Sequence, residues 1–564
     1  MTETSTALDR RKFISTGSVV AAGVVAASLP GMVGAPAEAA SAYFKHGLAS
    51  GDPTPTAVVL WTRLTPTSTS TPGSGKGPSA TVTWHVATDQ KFTKIVKKGT
   101  FATSASRDHT VKLDVTGLKP ATTYWYRFSH KGSYSPVART RTAPAYTANL
   151  ARMRFGIVSC ANLQAGWFNS YRHLAARSDL DAILHLGDYL YEYGNGEFGN
   201  GISNTDIRKH VPAHETLSLK DYRQRHGQYK QDPDLASLHR RFPFIITWDD
   251  HETANDTWTE GAENHDASEG SWKARRAASL KAYDEWMPVR LSGTSKLGDG
   301  TQIYRRFQFG NLIDLSMLDL RSYRNAPGAE FSPAVGVSSD PKRTIAGATQ
   351  LGWLQENLAT TKARWKFVGN PVMISPVLIP PLPEIVTNAI EATSGLVPPG
   401  ILPTEGVPYN TDQWDGYLVE RKKLTDFIKS KKIQNIVFLT GDIHSAWACD
   451  IPADKGLYPL GGSIATELVT TSVTSNNLDD LVGVPPRTTS IAVEAAIQTV
   501  NRHVRYLNFD DHGYSVLDVT PARVQMDYFI ISDRIDPKAT SARTASWVIA
   551  SGTQKVKPSA TGIA

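Results

Sequence analysis

Cysteine is nearly missing from this chain: Cys160 and Cys449 are the two it has in 564 residues. So few thiols exclude a disulfide framework as the source of stability, and one bridge between the two is all the composition permits. Beyond the first forty or so residues no apolar run is long enough to span a bilayer, so no stable membrane span is expected there. Long acidic or basic tracts are absent, as are internal repeats and nucleic-acid-binding motifs. These absences argue against a solenoid and against a nucleic-acid-binding protein. Lys and Arg exceed Asp and Glu by 60 to 53, a formal charge of +7. That is an ordinary surface for this size, with a mild pull on anionic substrates. What is present in quantity is apolar material, 40% of residues with 9% aromatic, enough for substantial cores. The length suggests several domains.

The start reads as an address rather than as fold. Arg10 and Arg11 in DRRKFI precede a weakly apolar run rich in Gly, Ala and Ser, and Ala37–Ala39 (AEA) offers a small-residue cleavage site. This resembles a twin-arginine export signal over residues 1–39. The expected partner is the twin-arginine export machinery, and the expected location is extracellular or cell wall-associated. That route carries folded proteins, which suits a chain that loads its cofactor before leaving the cytoplasm.

Two architectures follow. Ala57–Leu64 (AVVLWTRL) and the alternating Ala80–Asp89 (ATVTWHVATD) read as strands, and His109–Phe128 as two strands around a turn. Leu118, Pro120 and Tyr124 have the spacing of a tyrosine corner, so residues 42–143 are expected to form an immunoglobulin- or fibronectin-like β-sandwich. From about residue 150 to 564 apolar strands alternate with helical stretches such as GWFNSYRHLAAR, an α/β layout. Ser375–Asn410 stands apart, rich in Pro and Gly yet apolar. It leaves the strand expected over Trp365–Ile374 and reads as a lid or as a grip for an apolar substrate.

Four apolar strands of the larger part end in metal-ligand chemistry. RFGIVSCAN ends at Cys160, ILHLGDYLY at Asp188 and Tyr191, FPFIITWDDHETAND at Asp249, Asp250, His251 and Asn255, and NIVFLTGDIHSAW at Asp442 and His444. In α/β sheets sites gather outside the strand ends, so four such ends on adjacent strands are expected to converge on one pocket. A lone Gly-Asp is a turn and a lone Asp-x-His a surface pair; the combination is what points to a metal. A buried Asp-Asp pair without a cation would repel itself. Carboxylates, an amide and phenol oxygens suit hard cations. A phenol with its usual pKa near ~10 needs a strongly acidic ion such as ferric iron to ionise at neutral pH, and a thiolate and an imidazole are also compatible with iron. The remaining oxygen-rich positions suit Ca2+ or another hard divalent ion, and Asp188 is placed to bridge two ions.

GDYLY resembles the Gly-Asp-x-x-Tyr motif of metallophosphoesterases with a tyrosine-ligated iron, as in purple acid phosphatases. DDHE resembles their Asn-His-Glu segment with Asp250 in the Asn place, and GDIH their Gly-His-x-His segment with Asp442 replacing the first His. Ser159–Cys160 stands where that superfamily has an Asp motif. With HGLASGDPTPTAVVLWTRL (His46 to Leu64) and the export signal, these features resemble the alkaline phosphatase D (PhoD-like) family. The resemblance covers nearly the whole mature chain. It implies an α/β metallophosphoesterase-type β-sandwich core flanked by helices, behind the N-terminal β-sandwich. It implies Fe3+ held by Cys160, Asp188, Tyr191 and His444, with Ca2+ ions on Asp188, Asp442, Asp250 and Asn255; Asp249 lies either at a metal or one layer behind it. A Cys160–Cys449 disulfide would remove the thiolate. His251 matches the histidine that steadies the phosphoryl group or protonates the leaving oxygen. Arg275 or Arg276, on an expected helix, could offer phosphate a bidentate fork.

The function expected is a secreted alkaline phosphatase or phosphodiesterase acting on phosphate mono- and diesters with a metal-activated hydroxide. The alternatives are a phospholipase D-type diesterase and a catalytically silent surface-binding protein that works through its sandwich.

Overall fold

The structure, a computed structural model, describes residues 42–291, 302–328, 338–379, 407–408 and 410–563. The export signal expected over 1–39 and most of the apolar insertion, 380–406, lie outside the described residues.

Alternation along Thr123–His130 sends Tyr124, Tyr126 and Phe128 inward. This strand pairs with Ala80–Ala87 on one side and with Ser133–Tyr134 and Ala138–Arg141 on the other; Ile95–Thr103 forms the edge beyond Ala80–Ala87. The inward side chains meet Leu48, Val58, Leu60, Val111 and Val115 from Leu48–Gly51, Ala57–Arg63 and Thr110–Thr116, closing an N-terminal sandwich. Tyr124 Oη accepts from Lys119 N at 2.8 Å, the bond of a tyrosine corner.

Those facing strands also belong to the larger domain. Gly51 pairs in parallel with Phe244, so the three strands extend one ten-stranded sheet. Trp61 Nε1 donates to Glu285 O at 2.8 Å and Arg305 pairs with Asp52 at 2.6 Å, fastening the sandwich to the rest. At the centre of the ten-stranded sheet Met153–Val158, Ala182–Leu186 and Phe244–Thr247 run parallel, side by side. A second sheet of seven strands has Ile313–Met317, Trp365–Asn370, Ile436–Thr440 and Ser463–Val469 parallel at its centre.

The two sheets face each other. Phe155, Ile157, Leu184, Leu186 and Ile245 pack against Leu315, Met317, Phe367, Val437 and Leu439, all at 1% exposure or less. The outer faces are covered too. Helices Asn169–Ala176, Leu219–Lys230, Pro233–Arg241 and Trp272–Trp286 pack on the first sheet, and Ala348–Thr360 and Leu418–Ser430 on the second. Strands covered on both faces read as unbroken apolar runs, which is why AILHL, FIIT and IVFLT lack alternation. Helix starts are signalled locally: Ser218 and Asp221 form a capping box, and Asp232 caps a helix with Pro233 at its first position.

One expectation needs correction here. Three ligand-bearing strand ends are adjacent in one sheet, but the fourth, after Ile436–Thr440, comes from the facing sheet. The site therefore closes the open end of a sandwich instead of lining one sheet's edge.

Candidate metal centre

Glycines let the strand ends approach closely, within the first sheet and between the two sheets. Gly187 has φ 107°, and a Cβ there would collide with Cβ of Asp249. A Cβ on Gly441 would collide with Ser159 Oγ. After each glycine the chain turns sharply. Cys160, Asp188, Asp442 and His444 have φ of 58°, 53°, 67° and 53°, the left-handed region that non-glycine residues seldom adopt. Such residues each cost on the order of 1–3 kcal/mol and cluster at functional sites. Here they swing side chains from strand ends into a shared cleft.

A ligand atom from each of Cys160, Asp188 and His444 lies within 4.8 Å of the others. Tyr191 Oη donates to Asp188 Oδ2 at 2.9 Å, sits 3.2 Å from His444 Nε2 and accepts from Ser475 Oγ at 2.6 Å. His444 Nδ1 is 2.9 Å from Asn476 O, which orients the ring and leaves Nε2 for the cleft. Asp188 Oδ1 is buried with no hydrogen-bond partner. Burial, reinforced by Asp188, pushes the Cys160 thiol and the Tyr191 phenol well above their usual ranges. Burial also raises Asp188, with Asp250 and Asp249 adding to it against the opposing pull of His251. A thiol, a phenol and an orphaned carboxylate oxygen that resist ionisation together form a cradle that a cation would satisfy.

A second group joins it. Asp249, Asp250 and Asp442 offer carboxylate oxygens within 4.8 Å of one another, and Asp188, Asp250 and His251 do the same with a ring nitrogen. The tandem acids differ. Asp249 is gripped by Arg321, with Nη2 3.0 Å from Oδ2 and Nε bonded to Oδ1. Asp250 Oδ2 accepts from Asp256 N at 2.6 Å, while Oδ1 has no hydrogen bond and lies 3.5 Å from Arg321 Nη2. Arg321 also reaches Asp442 Oδ1 at 2.9 Å and Asp412 Oδ2 at 2.5 Å, and Gln413 Nε2 donates to Asp442 Oδ2 at 2.8 Å. Burial raises the Asp442 carboxyl to about 6 against the pull of Arg321. Asn255 commits its amide nitrogen to Glu263 Oε2 at 3.0 Å.

His251 stacks on Tyr191, centroids 4.1 Å apart, with Nδ1 2.8 Å from Glu192 Oε2. Burial works against its charge, but Asp250, Glu192 and Asp188 outweigh it and hold the imidazolium well above its ordinary range.

The arginines behave differently from the sequence expectation. Arg275 is buried and its fork is committed inside the protein, to Glu215 Oε1 at 2.6 Å, Asn264 O at 2.7 Å and Tyr222 Oη at 3.1 Å. Neighbouring acids drew it inward from a helix the sequence alone leaves solvated. Arg276 is half-buried, donates to Ser322 O at 3.3 Å and lines a small cavity with Asp249, Glu252 and Arg321. Cys160 and Cys449 are both free and buried.

Four residues escaped the sequence reading. Glu252, inside the DDHE segment, accepts from Asp188 N at 3.2 Å, Tyr189 N at 2.6 Å and Asp249 N at 2.8 Å. One buried carboxylate thus pins two ligand loops, and burial lifts it to about 8. Glu192 holds His251. Arg321 follows an apolar strand in MLDLRSYR, a strand-end signal like the others, whereas nothing local marks Asp412.

Two facing sheets between helices, with thiol, phenol, imidazole and carboxylate donors gathered at their parallel strand ends, define the metallophosphoesterase fold. The solved structure of purple acid phosphatase PPD1 from yellow lupin shares it, with a TM-score of 0.50 at 13% identity over 89% of this chain and 73% of that one. The chain belongs to the PhoD-like phosphatase family, whose catalytic model matches residues 155–528 and whose N-terminal domain model matches residues 30–144. It is 36% identical over 549 residues to alkaline phosphatase D of Bacillus subtilis (strain 168), covering 96% of this chain and 87% of that protein. The solved structure of PhoD superposes with a TM-score of 0.80 at 34% identity, over 94% of each chain. The protein is therefore a phosphatase, a hydrolase. Among the described residues no helix is long and apolar enough to cross a membrane.

Proposed function

We propose that this chain is an exported, metal-dependent alkaline phosphatase and phosphodiesterase. In this reading Cys160, Asp188, Tyr191 and His444 hold Fe3+, and Asp188, Asp250, Asn255 and Asp442 hold Ca2+. The observation that carries it is the meeting of four unlike donors at strained strand ends, with Asp188 Oδ1 buried and unpartnered among them. Asp249, with both oxygens on Arg321, is a support one layer behind the ions. The bound ions supply Lewis acidity toward phosphate oxygens and hydroxide near neutral pH.

The chain's own groups do the rest. The cleft between the sheet ends receives the phosphoryl group. As a hydroxide oxygen bonds to phosphorus and the ester P–O bond breaks, the electron pair of that bond moves to the leaving oxygen, which takes a proton from His251 Nε2. Water later restores that proton. Arg276, whose guanidinium is less committed than that of Arg275, is the arginine left to meet phosphate. Export through the twin-arginine machinery by way of Arg10 and Arg11 belongs to the same reading. So does the division into a leader over 1–39, a sandwich over 42–143 and a catalytic part over 150–564.

The test is metal analysis and a visible spectrum of protein exported by its own host, with assays on p-nitrophenyl and bis-p-nitrophenyl phosphate. Stoichiometric iron, calcium in excess, a charge-transfer band and hydrolysis of both esters are expected. A colourless zinc protein would overturn the iron assignment, and an inert metal-replete protein the activity.

A further inference from the structure

Glu192 is fully buried, four residues past Asp188, and its two carboxylate oxygens have separate tasks. Oε2 lies 2.8 Å from His251 Nδ1. Oε1 accepts from the backbone N–H of Asn255 at 2.7 Å and from Asn264 Nδ2 at 3.3 Å. Asn264 in turn donates to Glu215 Oε1 at 2.7 Å, and Arg275 closes the chain on that same oxygen at 2.6 Å. The carboxylate is thus braced from behind and cannot rotate without breaking bonds on both oxygens. On the other side of the imidazole, Tyr191 stacks with an interplanar angle of 29°. One neighbour fixes the plane of the His251 ring, and the other fixes its rotation. With the hydrogen of Nδ1 directed at Glu192, Nε2 is the nitrogen left for the cleft shared with Asp188 and Asp250.

We propose that Glu192 is a positioning residue for His251, which aims Nε2 at the reacting phosphate ester and, through the same carboxylate, locks the Asn255 loop beside it. This rests on the phosphoesterase reading above. The Arg275–Glu215–Asn264 chain is the brace of this device, which gives the buried arginine a task at a distance from phosphate. The arrangement has the form of an oriented histidine, in which the partner of one ring nitrogen sets what the other can do. Glu192 itself touches no substrate.

The experiment is a double-mutant cycle on the metal-replete enzyme with p-nitrophenyl phosphate: Glu192→Gln, His251→Ala and the pair together. Glu192→Gln should lower kcat about 10–100-fold with KM within about twofold and iron content unchanged. In the His251→Ala background the same change should cost less than about twofold, because residues acting as a unit are not additive. Glu192→Asp keeps the charge but withdraws the oxygen by one methylene; it should lower kcat alone, at least about tenfold, and it carries the cycle if the Gln variant does not fold. Multiplicative losses in the double variant, or a rise in KM with unchanged kcat, would overturn the proposal. If wild-type, metal-replete protein fails to hydrolyse the ester, the phosphoesterase reading fails first. An active wild type with multiplicative losses fails only the role of Glu192.

Discussion

Arg321 and Asp249, 72 residues apart in sequence, form a buried bidentate pair, each side chain 1% exposed. The pair brings the second sheet's strand end onto the first sheet's, because Arg321 follows Ile313–Met317 and Asp249 follows Phe244–Thr247. It also places a fixed positive charge among Asp250, Asp412 and Asp442.

Breaking such a pair strands a buried charge. Arg321→Met should destabilise the protein by about 3–5 kcal/mol. Urea denaturation of apo-protein reads this directly. A change below about 1 kcal/mol would mean the pair does not hold the sheets together.

Asp188 faces both groups of ligands, and its Oδ1 has no partner in the protein. Asp188→Ala should abolish turnover and lose both kinds of ion together. Near-native activity, or loss of one ion alone in metal analysis, would remove Asp188 from the centre.

Tyr191→Phe keeps the ring that stacks on His251 but deletes the oxygen that meets Asp188, His444 and Ser475. The visible band should vanish while the fold survives, at a stability cost of about 1–3 kcal/mol for the buried Asp188 Oδ2 that loses its donor. A band that persists would trace the colour to Cys160.

Gly187→Ala is the smallest change that should dismantle the site from outside the ligand set. Its φ of 107° disfavours any side chain, and the added carbon would strike Asp249. Metal content should fall and the protein should lose more than about 1 kcal/mol. Full metal loading in the variant would show that the strand ends have slack.

Replacing both arginines of the proposed leader, Arg10→Lys with Arg11→Lys, should leave folded precursor in the cytoplasm. Immunoblots of culture fractions decide it, and normal secretion would favour the general secretory route.

The sequence by itself determined a great deal, because much of this fold is written in local signals. Unbroken apolar runs such as AILHL and IVFLT announced strands covered on both faces, and the Gly-Asp pairs after them announced sharp turns carrying carboxylates. The tyrosine-corner spacing of Leu118, Pro120 and Tyr124 needed no distant partner to be read. Only the tertiary structure decided who meets whom. Asp249 and Asp250 are chemically identical and adjacent, and what separates them is Arg321, arriving from another sheet. Arg275 read as a fork for phosphate until Glu215, 60 residues away, took its guanidinium. Asp442 joined the site by closure of two sheets, not by neighbouring strands. The physical reason is one of range. Side-chain periodicity and turn chemistry act over a few residues along the chain. Ion pairs and ligand cradles instead form between segments that only the pairing of strands and the packing of sheets bring within a few ångströms.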